Sequence, residues 1–456
     1  MIKFSEVVEA VHGIALSGSN KIKINRVSTD SRDIRLGDLF IPIKGKRFDG
    51  HKYIDEAFKK GAVAVLTDHD ILVEENKITI KVDDTLKALG DLAKYYRKKF
   101  DLPIVAVTGS VGKTSTKEMV ARVLNSKYNV LKTAGNFNNE IGLPLTLFNL
   151  KKEHSLAVIE MGMSDFGEIR RLSKITEPDI AVITNIGLAH VENLGSKQNI
   201  LKAKMEVLDG LSSNGTVVLN GDDSLLKGMK NLLKYTTVFY GMEEGLEYQA
   251  FNIKTLGEKG SSFEITINSR DYKVFVPVPG IHNIYNALSA FVIAKELGLS
   301  PDNIIEEISN YSPEKMRMEI LNIKNFKIIN DVYNASPQSM EAAIDVLSAF
   351  NSSKRKIAVL GDMLELGKWS EKFHRELGEF ILTKEVDSLI TVGKDAKIIA
   401  QSASDSSNKE ISIFSFINND DAINFLKDYI REDDIILIKG SRGMHMEEII
   451  ECIKNF

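Results

Sequence analysis

A glycine-rich segment with one lysine reads Thr108-Gly109-Ser110-Val111-Gly112-Lys113-Thr114. It comes directly after an apolar run, residues 103–107, and directly before a helix pattern at 117–124. In that context glycines let backbone N–H groups approach phosphate oxygens, Lys113 supplies positive charge, and the Thr114 hydroxyl suits Mg²⁺. The segment therefore predicts a phosphate-binding loop. The general pattern has a further glycine where Val107 stands, so a strand-to-helix turn without a ligand is the alternative.

Two polar residues, Glu160 and His190, follow the apolar runs 156–159 and 180–183. Because the carboxyl ends of parallel strands meet at one edge of a sheet, both are expected at the edge that holds the loop. There they could hold a nucleotide's metal ion. Taken singly, a strand-end glutamate is more often solvated, and a lone histidine is usually a polar loop residue.

A pair of lysines, Lys202 and Lys204, lies in the helix pattern of residues 199–208. Spacing alone predicts that both belong to a solvated helix face, with their charged ends in water. Nothing in the pattern distinguishes the two lysines from each other.

Polar residues farther along the chain have two interpretations each. Asn283 and Asn286 follow a Pro-Gly turn at the start of a helix pattern, where they could bind a ligand or cap the helix. Arg317 and Asp331 suit a domain that closes over a bound nucleotide, although spacing does not prove it.

Three blocks of alternating helix and strand patterns must position these residues. Residues 1–84 predict a small α/β domain. Residues 85–313 predict a P-loop ATPase-like, mostly parallel sheet, with alternation at 235–279 that indicates an antiparallel extension. Residues 314–456 predict a Rossmann-like α/β domain. The fold class is therefore α/β with three domains, and the polar segment 402–408 is expected to be a surface loop.

Composition excludes several classes of protein. The 456 residues suggest about three domains. A net charge of −4 gives no broad positive field, so nucleic acid is not expected as a partner. The single cysteine, Cys452, suits a reducing compartment. Charged residues near the N-terminus interrupt any signal-peptide core, and no stretch is long and apolar enough to span a membrane, so we expect a cytoplasmic protein.

In their order along the chain, these pieces resemble the Mur ligase family, the ATP-dependent amino-acid or peptide ligases of bacterial cell-wall synthesis. The shortened loop at 109–114 is similar to that family's own form. Between residues 25 and 448, the chain resembles the members that join D-alanyl-D-alanine to UDP-N-acetylmuramoyl-tripeptide. The stretches that carry this resemblance are 29–32 with 37–40, 135–142, 360–367 and 439–444. The last two are the specific ones, and the Asp-Asn-Pro-Arg motif of the diaminopimelate- or lysine-adding ligases is missing from the sequence.

The resemblance implies a role for each domain: the first binds the UDP-linked tripeptide, the second binds ATP, and the third closes over both. The implied substrate-binding residues are Ser31, Lys46, Arg47, Phe48 and Asn138. The implied ATP-binding residues are Gly109, Ser110, Val111, Gly112, Lys113, Thr114, Ser115, Asn283, Asn286, Arg317 and Asp331. The implied catalytic residues are Lys113, Glu160, His190 and Lys204, and the implied metal ligands are Thr114, Glu160, His190 and Lys204 as a carbamate.

The implied reaction is activation of the tripeptide's terminal carboxylate by ATP as an acyl phosphate, followed by attack of the dipeptide amine. The implied cofactors are ATP, Mg²⁺ and CO₂ for the lysine carbamate, and we expect a monomer. For Lys204 the resemblance replaces the solvated-face interpretation. The chain departs from the family pattern at Met316, usually glycine, and at Ser336, usually asparagine.

Three other functions stay open at the level of sequence. A glutamate-adding relative such as a folylpolyglutamate synthase shares the loop, but is expected to lack the block at 30–32. A nucleotide-dependent switch would use the loop without making a bond. A scaffold role leaves Glu160, His190 and the loop without a common purpose.

Overall fold

The structure is a computed structural model that describes residues 2–17, 22–45, 48–69, 77–350, 353–405 and 410–455. The strands are β1 (Ile2–Lys3), β2 (Ile14–Ala15), β3 (Lys23–Ile24), β4 (Arg26–Ser28), β5 (Asp38–Phe40), β6 (Ala64–Thr67), β7 (Ile78–Lys81), β8 (Ile104–Thr108), β9 (Val130–Lys132), β10 (Leu156–Glu160), β11 (Ile180–Ile183), β12 (Thr216–Asn220), β13 (Thr236–Gly241), β14 (Tyr248–Gln249), β15 (Phe251–Thr255), β16 (Ser261–Ile267), β17 (Arg270–Val276), β18 (Glu319–Ile323), β19 (Phe326–Asn330), β20 (Lys356–Gly361), β21 (Ser388–Val392), β22 (Ser412–Phe416) and β23 (Ile435–Lys439). The helices are α1 (Phe4–Ala10), α2 (Ile54–Lys60), α3 (Thr85–Arg97), α4 (Lys113–Leu124), α5 (Gly142–Leu147), α6 (Glu168–Thr176), α7 (Val191–Leu194), α8 (Lys197–Met205), α9 (Ser224–Lys227), α10 (His282–Glu296), α11 (Pro301–Ser309), α12 (Pro337–Ser348), α13 (Ser370–Leu382), α14 (Ala396–Asp405), α15 (Asn419–Tyr429) and α16 (Glu447–Ile453).

Contacts within the chain define two compact units. The first unit contains Met1–Ala106, Tyr128–Ala181 and Met205–Gly215. The second unit contains Val107–Lys127, Val182–Lys204 and Thr216–Phe456. Each unit combines sheets with helices, and each contains some of the predicted site residues.

The first unit contains a five-stranded sheet in the order β2-β7-β6-β5-β4, parallel except for β2. Its strands are apolar on both faces. Leu39 belongs to the core cluster that contains residues of α1 and α3, whereas Phe40 belongs to a second cluster with residues of α2. Parallel strands covered on both sides read as continuous apolar runs, which is the pattern seen here. This unit also contains β9 and β10, which pair in parallel at one edge of the seven-stranded sheet.

The second unit contains the order β14-β13-β12-β11-β8, with parallel pairing along β12, β13 and β14. Within the segment 235–279, β15, β16 and β17 form the predicted antiparallel sheet. The prediction is wrong for β13 and β14, which pair parallel with the main sheet. A six-stranded sheet follows in the order β18-β19-β23-β20-β21-β22, and only β18 pairs antiparallel. One face of this sheet forms a buried core with residues of α15 and α16.

The predicted α/β class, with a small N-terminal domain, a mostly parallel central sheet and a C-terminal α/β domain, is confirmed. One local prediction is wrong: residues 402–405 belong to α14 rather than to a loop. Ser402 is buried, and its hydroxyl donates to the Arg375 carbonyl of α13, so packing overrides the polar composition. No helix within the described residues combines the length and the apolar character that a membrane span needs.

Candidate active site

The glycines of the predicted loop hold conformations that side chains rarely adopt. Gly109 has a φ of +150°, and a Cβ at this position would lie 1.9 Å from Thr184 Oγ1. Gly112 has a φ of +85° and precedes the first turn of α4. The backbone therefore turns from β8 into the helix through positions that depend on glycine.

Hydrogen bonds to the two residues after β11 fix the loop. The Ser110 N–H donates to the Asn185 carbonyl at 3.0 Å, and the Val111 N–H donates to Asn185 Oδ1 at 3.0 Å. The Val111 carbonyl accepts from Asn185 Nδ2 at 2.9 Å and from Thr184 Oγ1 at 2.6 Å. Ser110 Oγ is buried without a hydrogen-bond partner in the described part of the chain. A rigid loop with an unsatisfied hydroxyl fits a phosphate ligand.

Two lysines from different elements converge on a single carbonyl. Lys113 Nζ donates to the Gly109 carbonyl at 2.9 Å, and Lys204 Nζ donates to the same oxygen at 2.9 Å. Lys204 is 1% exposed, whereas Lys202 is exposed, so the solvated-face prediction from spacing is wrong for Lys204 and correct for Lys202. Burial and, secondly, the charge of Lys113 hold the pKa of Lys204 well below its ordinary value. The site thus favours a neutral, nucleophilic amine at Lys204.

Arg317 reaches the loop from the segment before β18. Its Nη2 donates to Thr114 Oγ1 at 2.9 Å, and its guanidinium lies 3.9 Å from the centre of the Tyr333 ring. Asp331 supports this segment, since its Oδ1 accepts from the Met318 N–H at 3.1 Å and its Oδ2 accepts from Lys439 Nζ at 2.5 Å. The structure therefore brings Arg317 to Thr114 and gives Asp331 a positioning role beside it.

His190 pairs with a carboxylate that sequence reasoning did not single out. Its Nδ1 lies 3.0 Å from Glu365 Oε2, and the hydrogen bond from His190 lowers the pKa of Glu365. Because a carboxylate only accepts, Nδ1 carries a proton, and Nε2 is the ring nitrogen that could face a metal ion. Glu365 lies in the stretch 360–367, which carries part of the family resemblance. This was the only feature of the sequence that could have pointed to Glu365 as a site residue.

Asn283 and Asn286 are buried and connect α10 to α4. Asn286 Oδ1 accepts from Thr116 Oγ1 at 2.9 Å, and Asn286 Nδ2 donates to Asn283 Oδ1 at 2.9 Å. Asn283 Nδ2 in turn donates to the Pro279 carbonyl at 2.8 Å. Their amides hold the helix behind the loop, and their contact with a nucleotide stays a prediction.

Glu160 lies in the first unit, at the end of β10, where it is buried. Its Oε1 accepts from Asn138 Nδ2 at 2.7 Å, and its backbone N–H donates to Thr133 Oγ1 at 2.9 Å. Asn138 was predicted as a substrate-binding residue. In the structure its amide orients the Glu160 carboxylate, and its contact with the substrate stays a prediction.

The predicted uridine-nucleotide residues are only partly described. Ser31 is buried in a short 3-10 helix, and its carbonyl accepts from Lys60 Nζ at 3.0 Å. Phe48 is 58% exposed, and its ring stacks on Tyr53 with centroids 5.5 Å apart. Lys46 and Arg47 lie outside the described residues.

The two departures from the family pattern differ in how well they suit their local structure. Met316 has a φ of +63°, the left-handed conformation that glycine adopts without strain. Ser336 caps the N-terminus of α12 through a capping box with Ser339.

Comparisons with known proteins agree along nearly the whole chain. Residues 23–97, 107–294 and 316–442 match profiles described as "Mur ligase family, catalytic domain", "Mur ligase middle domain" and "Mur ligase, glutamate ligase domain". The chain is 41% identical over 430 residues to the UDP-N-acetylmuramoyl-tripeptide--D-alanyl-D-alanine ligase of Bacillus subtilis (strain 168), covering 94% of this chain and 93% of that one.

Two solved structures are similar at 30% identity. A crystal structure of MurF from Acinetobacter baumannii aligns with a TM-score of 0.92 and covers 100% of this chain and 99% of that one. The MurF ligase of Thermotoga maritima in complex with ADP aligns with a TM-score of 0.85, covering 96% and 99%. The similarity therefore includes every region in which site residues were predicted.

Proposed function

The chain belongs to the Mur ligase family, and on this premise we propose that it uses ATP to join D-alanyl-D-alanine to UDP-N-acetylmuramoyl-tripeptide. The product is UDP-N-acetylmuramoyl-pentapeptide, a peptidoglycan precursor. The curated relative with this activity is 41% identical over 94% of the chain. The substrates follow from that relative, and the chemistry follows from the residues around the loop.

The observation that carries the proposal is the convergence of Lys113 and Lys204 on the Gly109 carbonyl. Burial, and secondly repulsion by the Lys113 charge at the same oxygen, lowers the pKa of Lys204 and favours its neutral form. Lys113 then keeps the positive charge, which faces the phosphates of ATP. Lys204 keeps a neutral amine for a different purpose.

The first step transfers the γ-phosphoryl group of ATP. A terminal carboxylate oxygen of the tripeptide forms a bond to the γ-phosphorus, and the bond from that phosphorus to the bridging oxygen breaks. ADP leaves with the electron pair, and an acyl phosphate remains. Lys113 and the loop N–H groups offset the charge that spreads over the transferred group.

The donor types at the predicted ligands suit Mg²⁺, because carboxylate and hydroxyl oxygens are among its preferred ligands in proteins. We propose that the Thr114 hydroxyl, the Glu160 carboxylate and the His190 imidazole hold Mg²⁺, together with Lys204 once it is carbamylated. When bound, Mg²⁺ neutralises phosphate charge and polarises the oxygens that carry it. The carbamate forms when the neutral Lys204 amine adds to CO₂ and releases one proton. This reaction converts a neutral group beside Lys113 into an anion that attracts it.

In the second step the neutral amine of D-alanyl-D-alanine attacks the acyl carbon. The tetrahedral intermediate collapses to the amide, inorganic phosphate leaves with the electron pair, and the amine gives up its proton. Water must be excluded, because it would hydrolyse the acyl phosphate. We assign this exclusion to closure of residues 314–456, with Arg317 contacting the ATP site.

The remaining assignments belong to the same proposal. Residues 1–84 bind the UDP-linked tripeptide through Ser31, Lys46, Arg47 and Phe48, and Asn138 contributes from residues 85–313, the ATP-binding domain. The exposed Phe48 ring, stacked on Tyr53, supplies a flat apolar surface in this region. We further propose that the enzyme works in the cytoplasm as a monomer.

The proposal is tested by identifying the product by mass. The purified chain is incubated with ATP, Mg²⁺, UDP-N-acetylmuramoyl-tripeptide and D-alanyl-D-alanine, and with mixtures that each lack one component. We expect the pentapeptide and ADP only in the complete mixture. A product that contains added glutamate, or ADP formation that ignores the dipeptide, would overturn it in favour of a glutamate-adding ligase or a nucleotide switch.

A further inference from the structure

A second group of polar side chains lies in the first unit, among residues that the proposed reaction does not use. Asp49 and His51 lie at the start of a short 3-10 helix, Gly50–Tyr53, and Asp68 and His69 directly follow β6. We call these four residues the histidine cluster. Its members come from two separated segments of the chain.

The nitrogen and oxygen atoms of the cluster face one another at short range. His51 Nε2 lies 3.0 Å from Asp68 Oδ1, and His69 Nε2 lies 3.5 Å from the same oxygen. His69 Nε2 is also 3.8 Å from Asp49 Oδ2. The two imidazole rings are stacked with centroids 3.9 Å apart. Both Nε2 atoms therefore lie within 3.5 Å of one carboxylate oxygen.

Two of these atoms are buried and unsatisfied. The His51 side chain is only 4% exposed, and its Nε2 and Asp68 Oδ1 make no hydrogen bond within the described ranges, although they are 3.0 Å apart. Asp49 Oδ1 lies 2.7 Å from His51 Nδ1, so the proton of a neutral ring is on Nδ1. In that tautomer His51 Nε2 faces Asp68 Oδ1, and neither atom carries a hydrogen to donate to the other. A cation between them would satisfy both atoms.

We propose that His51 Nε2, His69 Nε2 and Asp68 Oδ1 bind one divalent transition-metal ion of the zinc type, with Asp49 holding His51 in the metal-binding tautomer. Tetrahedral ligands with metal bonds of about 2.0–2.1 Å are about 3.3 Å apart, close to the separations of 3.0 and 3.5 Å. Imidazole ligands favour zinc-type ions over Mg²⁺ and Ca²⁺, which prefer oxygen. A carboxylate that accepts from the other ring nitrogen is the usual support of a ligating histidine.

Local hydrogen bonds place the ligand-bearing turns before any ion arrives. Asp49 Oδ1 also accepts from the His51 N–H at 3.0 Å, and Thr67 Oγ1 accepts from the His69 N–H at 3.0 Å. These short-range bonds set the backbone of both turns. The exposed His69 ring must rotate out of its stack on His51 before its in-plane Nε2 lone pair can meet the same ion. The ion would connect the 3-10 helix to the end of β6, and it would stabilise the fold independently of the ligase chemistry.

Zinc binding by the full-length chain tests the proposal. The protein is freed of metal with a chelator and titrated with Zn²⁺ in competition with a chromogenic zinc indicator. Wild type is expected to bind one ion. The substitutions His69→Ala and Asp68→Asn should abolish this binding, and Asp49→Asn should weaken it about 10–100-fold. The exposed His12 of the same unit gives the matched control, His12→Ala, which should bind as wild type does.

A second readout separates a metal site from a folding defect. Because zinc binds the folded state, rising Zn²⁺ should raise the Tm of wild type and of His12→Ala but not that of His69→Ala, whose side chain is 39% exposed. Lys113→Ala should lose ligase activity and keep zinc binding, so failure of this proposal is distinguishable from failure of the proposed function. Folded wild type that binds no zinc, or variants that bind it equally well, would overturn the site.

Discussion

The phosphate loop and the histidine cluster both place polar groups directly after a buried strand, β8 in one case and β6 in the other. They are built differently. The loop depends on backbone conformation, with Gly109 pressed against Thr184 and the loop amides bonded to Asn185. The cluster depends on side chains from two segments. A contiguous backbone motif is readable in a sequence, whereas a side-chain site assembled from separated turns is not.

Gly109→Ala tests whether the loop depends on its backbone conformation. Of the substitutions proposed for the loop and its neighbours, it should reduce ligation most. The new Cβ would overlap Thr184 Oγ1, so the loop must shift. We expect loss of measurable ligation and a fall in the free energy of unfolding of about 1–3 kcal/mol, measured by product mass and denaturant titration. Gly245→Ala is the matched control, because Gly245 also has a positive φ but nothing lies within 4 Å of its Cβ position. Equal behaviour of the two variants would contradict this account of the loop.

Lys113→Ala removes charge from the loop without changing its backbone. We expect dipeptide-dependent turnover to fall about 10²–10³-fold, since one charge-stabilising group is lost from the transition state. The Tm and zinc binding should stay at the wild-type values. Steady-state phosphate release measures turnover, and circular dichroism checks the fold. Unimpaired turnover in the folded variant would remove Lys113 from the mechanism.

Substitutions of Lys204 should lower turnover without lowering stability. Lys204→Ala should lose about a hundredfold in turnover, the effect of losing a metal-supporting group, and added small carboxylates should restore part of it. Lys204→Met should be as inactive, with a Tm equal to or above that of wild type, because a thioether is buried more easily than an amine. Lys202→Ala, two residues away and exposed, is the control. Full activity of Lys204→Met would exclude the carbamate.

The smallest expected effect concerns Arg317, which donates to Thr114 and stacks on Tyr333. Arg317→Ala should raise the KM for ATP about tenfold, the usual consequence of losing one charged hydrogen bond. Arg270→Ala provides a matched control, since Arg270 is exposed and stacks on Tyr272 in the same way. ATP titrations of the initial rate compare the two variants. An unchanged KM in Arg317→Ala would separate this residue from nucleotide binding.

Much of the fold was predictable, because buried parallel strands have continuous apolar runs, and β11 lies where its run predicts it. The loop was predictable because its glycines and lysine are adjacent in the chain. The burial of Lys204 was not predictable from spacing, since it depends on which face of α8 packs inward. The pairing of His190 with Glu365 and the histidine cluster depend on contacts between distant segments, which no local pattern encodes.

Transfer of an oxygen atom from the tripeptide carboxylate to phosphate shows whether ATP activates that carboxylate at the loop. The tripeptide is labelled with ¹⁸O in its terminal carboxylate and incubated with ATP, Mg²⁺, D-alanyl-D-alanine and the enzyme. Attack by the carboxylate predicts that each phosphate released carries one ¹⁸O atom and that the amide retains the other. Phosphate without the label would contradict an acyl phosphate and the role assigned to the loop.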